Sequence, residues 1–151
     1  MEIYLTGSEE TVALGEKIGK QLRGGEVIEL VSDLGGGKTT LVRGIAAGFG
    51  SQDRVTSPTF TVSKVYRANQ MRIVHYDFYR LPDAGLMLHE VSEELEDNAS
   101  VVIVEWADVV KNVLPEDRLH IEIKVVDDNR RKLYLKYPKQ LEYLFSKHTT
   151  K

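Results

Sequence analysis

The chain has 151 residues, of which 42% are hydrophobic, and a formal net charge of −3 at pH 7. That length fits one domain able to bury about 68–70% of its unfolded surface. The absence of cysteine excludes disulfides and thiolate metal sites, and the net acidity argues against tight nucleic-acid binding by the chain alone. The first ten residues show no basic, apolar leader, and the longest aliphatic run, residues 101–104, falls far short of a membrane span. A single cytoplasmic domain over residues 1–151 is the expectation.

Residues 2–5 read as a short strand. Residues 8–22 read as an amphipathic helix, with Ser8 as its cap and Val12, Leu14, Ile18 and Leu22 roughly on one stripe. Gly24 and Gly25 end it. Residues 26–31 form the next strand, a glycine-rich turn follows, and residues 38–48 form a second helix. Residues 61–66 and 71–78 look like two strands joined by a turn at Ala68, Asn69 and Gln70. A helix is expected over 86–95. Residues 101–104 are apolar on both faces, as in a central strand covered by helices. Residues 118–125 and 131–137 suit a hairpin through Asp127, Asp128 and Asn129, and Pro138 can start a short terminal helix. Strands interleaved with helices indicate an α/β fold: a P-loop NTPase-like three-layer sandwich with a mixed sheet, parallel at its centre with antiparallel additions.

The charge is uneven. From Arg130 onward seven Lys/Arg accompany one acid, Glu142, which makes that segment +6 and leaves −9 for the rest. A solvated face is the plain reading; a contact surface for an acidic partner or RNA is the sharper one.

The stretch SDLGGGKTT resembles the phosphate-binding pattern G-x-x-x-x-G-K-[ST], with Ser32 where the first glycine belongs. Gly35, Gly36 and Gly37 let the backbone curl so that N–H groups point inward at an anion. The helix start adds its positive dipole end. Lys38 would reach the terminal phosphates, Thr39 would ligate Mg²⁺, and Thr40 counts among the nucleotide-binding positions. An L-residue at Ser32 costs roughly 1–2 kcal/mol if φ must be positive there, and less if it need not be. About 1.4 kcal/mol is tenfold in affinity, so a competent, weakened ATP site is expected. A glycine-rich turn with an exposed lysine is the plain alternative.

Two acids are candidates for the metal side of such a site. Glu105 follows four aliphatic residues in VVIVEW, the pattern of a buried strand ending in an acid. In IVHYDFYRL, alternation places Ile73, His75, Asp77 and Tyr79 on one face and Val74, Tyr76 and Phe78 on a second, core-like face. Asp77 could bind a metal-ligated water or orient an attacking one; an Asp–Arg or Asp–His surface pair is its plain alternative. VTSPTFTV, with Thr56, Ser57 and Thr59 around Pro58, suits a loop that senses the γ-phosphate. His75, His89, His120 and His148 show no ligand spacing, and His89 and His120 read as surface or packing residues. Trp106 reads as a packing residue, with a partner contact as the alternative.

SDLGGGKTTLVRG, SPTFTV, HYDFYRL and VEWAD, in that order, resemble the TsaE (YjeE) family, together with TVALGEKIGKQL before the loop and the RLHIEI and DDNRRKLYL ending. The resemblance implies a weak Mg²⁺-dependent ATPase of tRNA threonylcarbamoyladenosine synthesis. Its partners would be TsaB and TsaD, which modify adenosine 37 of tRNAs reading ANN codons. ATP hydrolysis would reset that pair between turnovers, and tRNA would be met indirectly through the complex, with no membrane involved. By position, Lys38 and Thr39 fall on the family's phosphate and metal residues, Glu105 on its metal-side acid and Asp77 on its second acid, so that Lys38, Asp77 and Glu105 form the expected catalytic set. Thr11 and Arg130 fall near the nucleotide. The chain departs from the family at Ser32, and near Val91, where the family carries a glycine.

Two other classes fit parts of the pattern. A small-molecule kinase would need an arginine lid, for which Arg67, Arg72 and Arg80 are the candidates. An interaction protein with a decayed nucleotide site would bind partners without ATP. No N-K-x-D stretch reads guanine, which disfavours a GTPase.

Overall fold

The apolar run before Glu105 becomes the strand Ser100–Glu105, buried at every residue, and the sheet grows outward from it. In a computed structural model describing residues 1–33, 35–58, 61–79, 81–83 and 85–146, seven strands form one mixed sheet. In chain order they are β1 (Glu2–Thr6), β2 (Val27–Val31), β3 (Ser63–Ala68), β4 (Met71–Asp77), β5 (Ser100–Glu105), β6 (Leu119–Val125) and β7 (Arg130–Lys136). Their spatial order is β1-β7-β6-β2-β5-β4-β3. The centre, β6-β2-β5-β4, is parallel, whereas β3, β7 and β1 join antiparallel. Thr59, Phe60, Arg80 and His148 lie outside the described residues. Among the described residues no helix is long and apolar enough to cross a membrane.

Two apolar cores sit on opposite faces of this sheet. One packs Ile28, Leu30, Ile73, Ile103, Ile121 and Leu133 against α1 (Gly7–Gln21), α2 (Lys38–Phe49) and a terminal 3₁₀ helix, Lys139–Phe145. The other packs Val27, Val74, Tyr76, Val102 and Val104 against α3 (Met87–Glu96) and a 3₁₀ turn, Ala107–Val110. Val91, near which the resemblance places a glycine, is fully buried in this second core. The parallel centre is therefore covered on both faces, as parallel sheets require.

Local chemistry adjusts several boundaries. β3 begins at Ser63 because Val62 is in the left-handed region, φ 66°. Asn69 takes φ 55° in the β3–β4 turn, which asparagine tolerates. Helix α1 starts at Gly7, so Ser8 lies inside it and is not the cap; the amide of Thr6 instead donates to Glu10 Oε2 at 2.6 Å.

The α1–α2 contact runs on glycine rather than on the apolar stripe. Gly15, Ile18 and Gly19 are buried, while Val12, Leu14 and Leu22 are only half-buried. A Cβ on Gly15 would stand 2.5 Å from the carbonyl of Leu41, and one on Gly19 would stand 2.1 Å from that of Ile45. From the other helix, Gly44 and Gly48 would meet the carbonyls of Val12 and Glu16 at 2.3 and 2.2 Å. The two backbones touch, and this close approach brings the start of α1 beside the start of α2.

Two cations of the basic C-terminal segment have acidic neighbours: Lys132 pairs with Glu2 at 3.3 Å and Arg130 with Asp127 at 2.6 Å. Those pairings fit a solvated face.

Candidate functional site

The carboxyl ends of β2, β4 and β5 lie side by side, which is where open α/β sheets bind ligands. From β2 the chain passes directly into the glycine loop and α2. Gly35 and Gly37 have φ of 77° and 103°, conformations open to glycine at no steric cost. The amide of Gly36 is held by Asp33 O at 3.1 Å. The first amides of α2, from Lys38 on, have no acceptor within the helix and face outward as anion donors.

A cavity of about 280 Å³ opens onto this loop. It is lined by Gly35, Gly36, Gly37, Lys38, Thr39 and Thr40 on one side, and by Ser57, Asp77, Glu105 and Trp106 on the other. Lys38 is buried, and its Nζ donates to Ser32 O at 3.1 Å, lies 3.7 Å from Glu105 Oε1 and sits 5.0 Å from the centre of the Trp106 ring. Asp77 and Glu105 occupy partnered positions on adjacent parallel strands, so their side chains leave the same face of the sheet. Both are buried. Asp77 Oδ1 accepts from the Tyr79 amide at 2.9 Å, and the Asp77 amide donates to Val62 O at 2.8 Å.

The partner of His75 is not Asp77. Parallel register carries Glu105 across to it: His75 Nε2 and Glu105 Oε2 are 2.6 Å apart. His89 is exposed beside Glu93, and His120 is half-exposed beside Glu29.

Thr39, Asp77 and Glu105 supply an oxygen-only donor set around the cavity. Among the described residues no group of three or more His, Asp or Glu could by itself cage a metal ion.

A second cavity, about 270 Å³, lies on the other side of the α2 start and shares Gly37 and Thr40 with the first. Its remaining walls are Gly7, Ser8, Thr11, Asp128, Asn129 and Arg131. Thr11 thus reaches the loop from α1. Arg130 does not line either cavity, because its guanidinium turns to Asp127. Arg131 takes the inward place and donates from Nε to Gly36 O at 3.2 Å.

Trp106 is more than a packing residue. It has φ 56° and is 36% exposed, it packs on Tyr79 with ring centres 4.9 Å apart, and it forms a wall of the cavity at the glycine loop. The only cue to it in the sequence is its place directly after Glu105. Arg72, a candidate lid residue, is held by Glu94 and Asp97 at 3.0 and 2.7 Å.

Ser32 is absent from the residues with positive φ, so the backbone strain considered for this position does not arise. Its hydroxyl donates to Asp33 O at 2.8 Å, and it fills the space beside Gly36, where a Cβ would come within 2.4 Å of Ser32 Oγ. Ser32→Gly should therefore change Mg²⁺-ATP affinity by less than about threefold. A tenfold gain in a calorimetric titration would contradict this.

Comparison with known proteins fits this geometry. The family model for the threonylcarbamoyl adenosine biosynthesis protein TsaE matches residues 5–133. The chain is 38% identical to the tRNA threonylcarbamoyladenosine biosynthesis protein TsaE of Bacillus subtilis (strain 168), over 83% of this chain and 78% of that protein. It is 33% identical to the protein of the same name from Treponema pallidum (strain Nichols), over 88% and 98%. The crystal structure of Bacillus subtilis YdiB superposes with a TM-score of 0.74 at 31% identity, covering 96% of this chain and 90% of that one.

Proposed function

Because the chain belongs to the TsaE family of tRNA threonylcarbamoyladenosine biosynthesis, we propose that it is a Mg²⁺-dependent ATPase that resets a TsaB–TsaD transferase pair between rounds of adenosine-37 modification. One observation carries the reading. The ends of three adjacent parallel strands bring the glycine loop, Lys38, Asp77 and Glu105 to a single cavity.

In this reading the amides from Gly35 to Thr40 and the ammonium of Lys38 hold the triphosphate. Thr39 and Glu105 hold the metal, which when bound would neutralise charge building on the phosphate oxygens. Asp77 orients the attacking water from the neighbouring strand end. Thr11 and Arg131, in the second cavity, lie where the nucleoside end would lead. Burial of Lys38 and Glu105 excludes water around the phosphate site and strengthens their electrostatic effect there. The tRNA is met through the partners, consistent with the acidic chain.

Glu105→Ala is the test. It should bind ATP within about threefold of the wild-type protein and lose Mg²⁺-dependent turnover by about a hundredfold, the equivalent of about 2.7 kcal/mol of transition-state stabilisation. Steady-state ATPase assays with and without the TsaB–TsaD pair measure both the loss and the partner dependence. Equal turnover in variant and wild type would overturn the assignment of Glu105.

A further inference from the structure

Glu105 offers its two oxygens to different partners. Oε1 lies toward Lys38 at 3.7 Å, and Oε2 meets His75 Nε2 at 2.6 Å. His75 is fully buried within the core that holds Ile73 and Ile103, a place where an aliphatic side chain would pack without polar atoms to satisfy. Its other nitrogen, Nδ1, is 3.3 Å from Tyr66 Oη. Tyr66 is itself buried, and its hydroxyl donates to the carbonyl of Thr56 at 3.1 Å.

Burial pushes the Tyr66 hydroxyl up to about 12, opposed by its bond to Thr56 and reinforced by the charge of Glu105. The tyrosine therefore stays protonated at neutral pH. Its hydroxyl donates to Thr56 O and lies 3.3 Å from His75 Nδ1, while Nε2 of the same ring meets the Glu105 carboxylate at 2.6 Å. The result is an unbroken line from the carboxylate at the phosphate site to a backbone carbonyl about ten residues upstream of β3's centre. Thr56 precedes Ser57, which lines the phosphate cavity. The segment 51–57 also walls a separate cavity of about 530 Å³ against Thr39 and Arg43.

We propose that His75 and Tyr66 are positioning residues that lock the orientation of the Glu105 carboxylate to the backbone of Thr56, so that the acid and the loop 51–57 respond as one unit. The inference rests on the reading of Glu105 as a site acid, and it adds the means by which that acid senses the loop. Packing alone would not demand it: Phe in place of Tyr66 fills the same space and removes one hydroxyl.

Amide hydrogen exchange on the nucleotide-free chain tests the line directly. Tyr66→Phe and Glu105→Ala should each speed exchange at residues 53–57 about fivefold, the effect of losing one hydrogen bond. The double variant should show no more than one of the single ones, because both cut the same chain. Exchange at residues 127–129, remote from the line, should stay at the wild-type rate. Effects that multiply to about 25-fold, a loop unmoved by Glu105→Ala, or equal acceleration at 127–129 would each overturn the proposal. If Glu105→Ala does not fold, His75→Leu severs the same chain and takes its place with the same outcomes. A parallel calorimetric titration of the wild type with Mg²⁺-ATP separates the two ideas. Failure to bind strikes the nucleotide reading, while the positioning line stands or falls on the exchange rates.

Discussion

With Lys38 replaced by alanine, calorimetric titration with Mg²⁺-ATP is expected to show affinity lower by a hundredfold or more. The ammonium is the one side-chain cation lining the cavity at the glycine loop among the described residues. It is held from behind by the carbonyl of Ser32 and by Glu105, which aims it before any ligand arrives. A charge-assisted hydrogen bond contributes about 1.5–3 kcal/mol, and a buried cation facing phosphate oxygens replaces more than one such contact. The fold should survive, because Glu105 retains His75 as a partner at 2.6 Å. A folded variant with wild-type affinity would mean that the glycine loop holds its ligand elsewhere.

The largest expected effect on stability comes from a methyl group. Gly19→Ala places a Cβ 2.1 Å from the carbonyl of Ile45, 2.8 Å from the amide of Phe49 and 2.9 Å from the carbonyl carbon of Ile45. All three are backbone atoms, so no side chain can swing away. The helices must separate, at a cost of about 3 kcal/mol or more. For a chain of this size that lowers Tm by roughly 6–12 °C. The shift should also weaken nucleotide binding, because α1 carries Ser8 and Thr11 into the second cavity. Thermal unfolding followed by circular dichroism is the check, and a Tm within 2 °C of the wild type would show that the contact is looser than its geometry implies.

The strands, the glycine loop and the central position of 101–104 were legible because hydrophobic period and turn chemistry are local properties. So was the pairing of an apolar strand with a terminal acid, which led to Glu105. The remainder depended on relations between distant segments. The partner of His75 lies thirty residues away and follows from parallel register, which no local pattern encodes. The α1–α2 seam escaped because stripe reasoning looks for large side chains, whereas Gly15, Gly19, Gly44 and Gly48 act by having none. Arg130 and Arg131 differ by one residue, and strand parity decides between them. Arg131 shares a face with buried Leu133 and Leu135 and turns toward the loop, while Arg130 turns to Asp127. The strain weighed for Ser32 was a question of backbone angle, which composition cannot answer.

Trp106 is the sole tryptophan in the chain, and it stands between Tyr79 and the ammonium of Lys38 at the cavity beside the glycine loop. A cation near an indole alters its excited state, and a ligand that drew the cation away would alter it again. The molecule thus carries its own optical reporter, so occupancy of the site can be followed by intrinsic fluorescence on unlabelled protein.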